Sequence, residues 1–199
     1  MSKYSRISKL LVIPLFAVIL SACTTQAPSE NLDLSSQVQT PSPSVSVPVI
    51  TSDPQNMSDI LTINTSKGPI VVKLYPSEAP NTVLNFNNKA NSGFYKNLTF
   101  HRVEPGFVIQ GGDPLGNGTG GGDIASEINA VPFKRGSVGL ARGGNIAISN
   151  DSQFFICLAD ETCAGLSNQY VNFGEVQSGM EVVDQIAVGD KILEVTPQK

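Results

Sequence analysis

The chain has 199 residues, 40% of them hydrophobic and 15% charged, which is enough to bury one sizeable core and hardly two. Its formal charge of -4 includes no basic block, so the electrostatic footprint of a nucleic-acid binder is missing and nucleic acid is excluded as an expected partner. With 18 Gly, 13 Pro and no Trp, the composition favours turns and strands over long helices.

The N-terminus reads as a targeting segment. Lys3, Arg6 and Lys9 flank an apolar run from Leu10 to Leu20, which has the length of a secretory h-region and is too short to span a bilayer. The run ends in Leu20-Ser21-Ala22-Cys23, which resembles the bacterial lipobox. Cleavage after residue 22 would leave Cys23 as a lipidated N-terminus, and two or three acyl chains anchor a protein where one does not. Residues 1–22 are therefore expected to be a lipoprotein signal peptide. The expected location is the cell envelope, lipid-anchored to a membrane with the domain on the extracytoplasmic side. An ordinary secretory signal with a chance Cys, or an uncleaved helix, is the alternative.

Residues 23–57 follow as a Ser, Thr, Pro and Gln rich stretch in which Pro28, Pro41, Pro43, Pro48 and Pro54 break any helix or ladder. This is the pattern of a disordered tether, with ends roughly 30 Å apart if it behaves as a flexible coil. Pro48 interrupts the one candidate strand, Val45 to Ile50.

The domain is expected to span 58–199. Ile60 to Ile63 and Ile70 to Leu74 are β-branched runs joined by Thr65-Ser66-Lys67-Gly68, which predicts a hairpin. Pro80-Asn81-Thr82 then offers a helix start, Val83, Phe86 and Ala90 share one face, and Gly93 is placed to end the helix. Short apolar strands follow at Leu98 to Val103, Phe107 to Gln110, Ser137 to Ala141, Gln153 to Leu158 and Val171 to Val176, a spacing that suggests a barrel. A second helix is predicted from about Gly179 to Val188, stopping at Gly189.

Five separated blocks carry a resemblance. Phe100-His101-Arg102-Val103, Pro105 to Asp113, Gly118-Thr119-Gly120-Gly121, Ser152-Gln153-Phe154-Phe155-Ile156 and Phe173-Gly174 resemble, in order and approximate spacing, the signature of the cyclophilin family over about Ile60 to Val195. The resemblance implies a mainly β fold, a closed eight-stranded antiparallel β-barrel capped by two α-helices. Side chains fill its interior, so substrate sits on an outer face. It also implies a peptidyl-prolyl cis/trans isomerase acting on proline-containing polypeptides, with no cofactor and no metal. A monomer is the expected state.

The chemistry fits such a task. Rotation about an X-Pro bond is opposed by amide resonance, with a barrier of about 18–20 kcal/mol for a peptide bond. A cation or donor aimed at the proline nitrogen weakens that resonance and is worth most as the bond twists. Arg102 matches the family's catalytic arginine, and its fixed, always-charged fork suits this role better than Lys; a surface arginine pairing with Glu104 is the plainer reading. Phe107, Val108, Phe155 and Leu166 match positions lining the proline pocket, while Gln110 and Gln153 match residues that hydrogen-bond the substrate backbone. Phe154 belongs in the core, because adjacent strand residues face opposite ways. His101, the single histidine, is read as supporting the face rather than the chemistry. One His and three dispersed Cys lack metal-ligand spacing.

Gly116-Asn117-Gly118-Thr119-Gly120-Gly121 formally satisfies G-x-G-x-x-G, but the dinucleotide fingerprint needs a strand before it and a helix after it. These glycines are better suited to a loop that a peptide backbone can approach. Cys157 and Cys163 lie six apart and could pair, yet Cys157 sits in an apolar strand where a free Cys behaves as a small hydrophobe, and two free thiols are expected.

Three positions depart from the family pattern. Gly165 stands where many cyclophilins place a cyclosporin-binding Trp, which predicts weakened inhibition by that drug. Tyr170 replaces a His, keeping an aromatic wall with a polar tip. Ala141 is followed by Arg142 where eukaryotic forms carry Asn, in a loop that is longer by about two residues. Ala141, Arg142 and Tyr170 are expected to contact substrate. The competing functional class is a non-catalytic proline-peptide-binding or chaperone module on the same fold, which need not keep a resonance-breaking cation.

Overall fold

The structure is a computed structural model and describes residues 58–198. The signal peptide, Cys23, the tether and the Val45 to Ile50 stretch lie outside those residues. The domain opens with the expected hairpin, β1 (Ile60–Thr65) and β2 (Gly68–Leu74). Alternation does the work here: Leu61 stands opposite Val72 and Ile63 opposite Ile70, and all four are buried on one face. Each such side chain contributes roughly 1.5–3 kcal/mol by leaving water.

The other main strands are β3 (Phe100–Glu104), β4 (Val108–Gly111), β6 (Ser137–Leu140), β8 (Phe154–Cys157), β9 (Asn172–Ser178) and β10 (Ile192–Pro197). With β1 and β2 they form one antiparallel eight-stranded sheet in the order β10-β1-β2-β9-β6-β8-β4-β3. The sheet curls so that its two edge strands meet, but through a seam rather than a ladder. A single bridge pairs Thr99 with Lys191, and Ile192 N–H donates to Leu98 O at 2.7 Å and Phe100 N–H to Asp190 O at 2.9 Å. A two-stranded sheet of β5 (Asp123–Ala125) and β7 (Ile148–Asn150) sits apart.

Helix α1 (Pro80–Asn91) begins with Pro at its first turn and buries Val83, Phe86 and Ala90. The Phe86 ring meets Phe173, Phe154 and Tyr95 with centroids 5.1, 5.6 and 4.9 Å away, so the helix closes one end of the core. Its end is a Schellman turn: Gly93 takes φ +73°, Phe94 N–H bonds Lys89 O and Gly93 N–H bonds Ala90 O, both at 3.0 Å.

The second predicted helix is shorter than its pattern. Helix α3 covers only Met180–Val183, after which Gln185 N–H and Ile186 N–H bond the carbonyls three residues back and Asp190 Oδ2 accepts Ala187 N–H at 2.8 Å. The chain tightens into turns because Asp190 offers an outside partner for a backbone donor. An additional one-turn helix, α2 (Asp160–Cys163), runs into a 3-10 turn at Ala164–Leu166.

Burial on β8 separates two cores. Phe154 and Ile156 point inward to the main cluster, whereas Phe155 and Cys157 point outward into a second cluster with Val108, Phe133 and Cys163. The two expected free thiols are instead joined as a Cys157–Cys163 disulfide with Cα atoms 6.2 Å apart. The apolar character of β8 concealed that α2 folds back over this outward face and delivers Cys163 to it, within ordinary bridging distance.

Candidate active site

The second cluster is the floor of a concavity of about 180 Å³ on the outer face of β3, β4, β6 and β8. Phe107, Val108, Phe155 and Leu166 supply its apolar wall, Ala141 and Tyr170 one side, and Arg102, Gln110 and Arg142 its charged and amide groups. Strand register explains the convergence. Gln110 on β4 lies opposite Arg102 on β3 and Phe155 on β8, so three neighbouring strands bring these side chains to one face.

Phe155 is held between two rings. It stacks on Phe133 at 5.5 Å and 25°, and meets Tyr170 edge-on at 5.6 Å and 89°. Gly139 makes room for this pair, since a Cβ there would run into both the Phe133 and Phe155 rings. Behind Phe155 the disulfide fixes α2 and the 3-10 turn that carries Leu166.

The polar side of the site is a chain of amides. Arg102 Nη1 donates to Gln110 Oε1 at 3.1 Å, Gln110 Nε2 donates to Gln153 Oε1 at 3.0 Å, and Gln153 Nε2 donates to Gly120 O at 2.8 Å and Gly118 O at 3.2 Å. Gln153 thus stands one layer behind the cavity, buried and with its amide groups engaged. The sequence reading placed it against substrate; the structure gives it Gln110 and the glycine loop as partners instead. Asn150 completes this layer, accepting Gln153 N–H at 2.8 Å on Oδ1 and donating from Nδ2 to Gly120 O at 2.9 Å. Arg102 also approaches Glu104, Nε to Oε1 at 3.5 Å, as an exposed pair worth at most about 1 kcal/mol.

Arg142 forms the opposite rim. Its Nε donates to Gln169 O at 2.8 Å and Nη1 to Gly143 O at 2.9 Å, which lays the guanidinium over the Tyr170 ring at 4.5 Å from the centroid. His101 does not line the cavity. Both its ring nitrogens are buried next to Gly118, with no hydrogen-bond partner among the described residues. Burial pushes its pKa below the ordinary value, Asp113 opposes that and Arg102 reinforces it, so the ring is neutral at pH 7. Burial would raise the Asp113 carboxyl, but N–H donors of Leu115, Asn117 and Gly118 outweigh it and hold the carboxyl below its usual range. The glycine run is therefore wound around Asp113, and it continues into β5 rather than into a helix, which removes the context of a dinucleotide fingerprint.

The sequence reading missed Phe133, Asn150 and Gly139. Phe133 lies in an irregular stretch with no periodic partner, and the other two act only through side chains brought from elsewhere.

The comparisons with known proteins agree along the whole domain. The family described as cyclophilin type peptidyl-prolyl cis-trans isomerase/CLD matches residues 60–199. A peptidyl-prolyl cis-trans isomerase of Helicobacter pylori is 43% identical over 137 residues, covering 66% of this chain and 82% of that protein. Peptidyl-prolyl cis-trans isomerase B of Bacillus subtilis is 43% identical over 130 residues, covering 63% of this chain and 88% of that protein. Among solved structures, a cyclophilin type peptidyl-prolyl cis-trans isomerase of Cryptosporidium parvum, crystallised in the presence of the dipeptide Ala-Pro, superposes with a TM-score of 0.65 at 29% identity, covering 70% of this chain and 99% of that one. An outward aromatic slot flanked by an arginine, on a curled eight-stranded sheet that a family match covers from end to end, places this chain in the cyclophilin-type peptidyl-prolyl cis-trans isomerase family.

Proposed function

We propose that this protein is a peptidyl-prolyl cis/trans isomerase whose slot takes the proline ring and whose Arg102 lowers the rotational barrier. The observation that carries this reading is the placement of Arg102 at the edge of the apolar slot, held there by Gln110. The slot of Phe107, Val108, Phe155 and Leu166 would strip water from the ring and fix its plane. As the bond twists, the proline nitrogen regains its lone pair, and the Arg102 guanidinium supplies a donor and a positive charge to it. Gln110 and Gln153 position that guanidinium. No bond is made or broken, so neither a nucleophile nor a metal is required.

A protease-coupled assay on a proline peptide tests the reading. Arg102→Ala is expected to lower kcat/KM by about 100- to 1000-fold, the range for removing one transition-state donor. Unchanged turnover refutes the assignment, and peptide binding without turnover by the wild type supports the binding-module alternative.

The setting we propose is the extracytoplasmic side of a membrane, with Cys23 lipidated and the tether reaching outward to help secreted proteins fold. The Cys157–Cys163 disulfide supports this, since such bonds persist chiefly in oxidising compartments. A Cys23→Ala protein that still fractionates with membranes would rule out the lipid anchor.

A further inference from the structure

We infer that Arg142 forms a carboxylate-binding subsite on the rim of the proline slot, so that the enzyme prefers X-Pro segments with an acidic residue beside the proline. This rests on the isomerase reading above. Arg142 is a positioned cation without a counter-ion. Its two hydrogen bonds go to the neutral carbonyls of Gln169 and Gly143, and Tyr170 supports its plane. Among the described residues no carboxylate lies within ion-pair distance of it, whereas Arg102 has Glu104 at 3.5 Å and Arg135 has Asp184 at 2.7 Å.

Among the described residues, the slot wall thus carries two guanidiniums, Arg102 and Arg142, and no acidic side chain. Since the chain as a whole has a charge of -4, the positive potential is local to this site rather than a property of the surface. Arg102 is partly neutralised by Glu104 and is committed to the reacting amide, which leaves Arg142 as the group to meet an incoming anion. Its remaining N–H groups are held in a planar fork that matches a carboxylate, and much of the ordering cost has already been met within the free enzyme. The class of ligand follows: a Glu or Asp side chain next to the proline, or the terminal carboxylate of a chain ending just after it.

Magnetisation-exchange NMR on N-acetylated, C-amidated proline peptides tests this. The peptides carry Glu, Gln or Lys immediately before or immediately after the proline, and the full chain is measured in dilute buffer and in about 1 M salt. Glu is expected to exceed Gln in kcat/KM by about three- to fivefold at one of the two positions, the scale of an exposed charge pair, with Lys below Gln. The ratio should fall towards one in high salt and in Arg142→Gln, and survive in part in Arg142→Lys. A ratio near one at both positions in the wild type overturns the inference, as does one that persists in Arg142→Gln. If Arg142→Gln does not fold, the salt series on the wild type decides, and a salt-independent ratio overturns the inference. Absence of turnover on every peptide, Gln included, overturns the isomerase reading instead; anisotropy binding of the same peptides then decides the charge preference by the same ratios.

Discussion

His101 has two buried ring nitrogens and, among the described residues, a partner for neither, so its neutrality is enforced by desolvation and by Arg102 against the pull of Asp113. Its folded pKa lies below the unfolded value near 6.5, which means the unfolded chain binds the proton first as pH falls. Stability is full above the unfolded value and declines as pH drops from there towards the lower folded value. His101→Phe is expected to abolish that decline in urea melts taken between pH 7.5 and pH 5, with stability at pH 7 within about 1 kcal/mol of the wild type, because no hydrogen bond is lost. A steeper decline in the variant would refute the account. Gly165 gives a second test at this scale. A side chain begun there meets nothing within 4 Å, so the wall a Trp supplies in the family is missing without anything filling its place. Gly165→Trp should fold normally and bind cyclosporin more tightly than the wild type by isothermal calorimetry. Most of the slot was legible in the sequence because its positions, from Arg102 to Tyr170, could be matched one by one to the family pattern that the motif blocks resemble. Gln153 was legible as a site residue but not as a buried one, since its partners Gly118 and Gly120 are 33 to 35 residues away.

Helix α1 shows what is lost between a local signal and a tertiary one. Pro80 marks its start in the sequence, yet Ala79 at the N-cap has no side chain able to accept the free N–H groups. Glu127, 45 and 46 residues further on, does so: its Oε1 accepts Asn81 N–H at 3.0 Å and Asn81 Nδ2 at 2.9 Å, and Oε2 accepts Thr82 N–H at 2.8 Å. Burial would raise this carboxyl, but the bonds to Thr82 and Asn81 prevail and hold it below its ordinary value of 4.5. The cap is therefore intact above pH 4.5 and is lost as pH falls through the lower folded value. Glu127→Gln would turn one acceptor into a donor facing N–H groups, and is expected to cost about 1–2 kcal/mol in chemical denaturation at pH 7. An unchanged midpoint would show that water caps the helix equally well. The strands divide the same way. The long runs of β1 and β2 announce themselves by alternation, while β5 and β7, three residues each, are below the length at which a period can be read. Strand β10 escaped because its burial is irregular, with two exposed residues between Ile192 and Val195 and a register shift against β1 at Asn64 and Thr65.

At the scale of the whole molecule, the catalytic face and the main core are separate packing units on opposite faces of shared strands, β4 and β8, and the disulfide lies within the first, pinning α2 to β8. The segment from Asp160 to Tyr170 holds one wall of the slot and has few anchors besides it. Thr162 Oγ1 donates to Gly106 O at 2.6 Å, Ser167 Oγ accepts Phe133 N–H at 2.9 Å, and Arg142 reaches Gln169 O. The bridge closes a short loop across a sequence separation of six, so its chain-entropy contribution is about 2 kcal/mol. That is a modest share of the stability of a domain this size, equivalent to roughly 5–8 °C in Tm. Locally the effect is larger in consequence, because Leu166 has no strand ladder to hold it once Cys163 is released from β8. The double variant Cys157→Ser, Cys163→Ser should therefore remain folded, with the Tm lowered by that amount, and should raise KM for a proline peptide more than it lowers kcat, since Arg102 and its amide chain through Gln110 stand on β3 and β4 and are untouched. Calorimetry and steady-state kinetics on the same preparation separate the two effects. A fall in kcat with KM unchanged would mean that the bridge acts on Arg102, and would refute the division of the molecule into a strand-borne cation and a disulfide-borne wall.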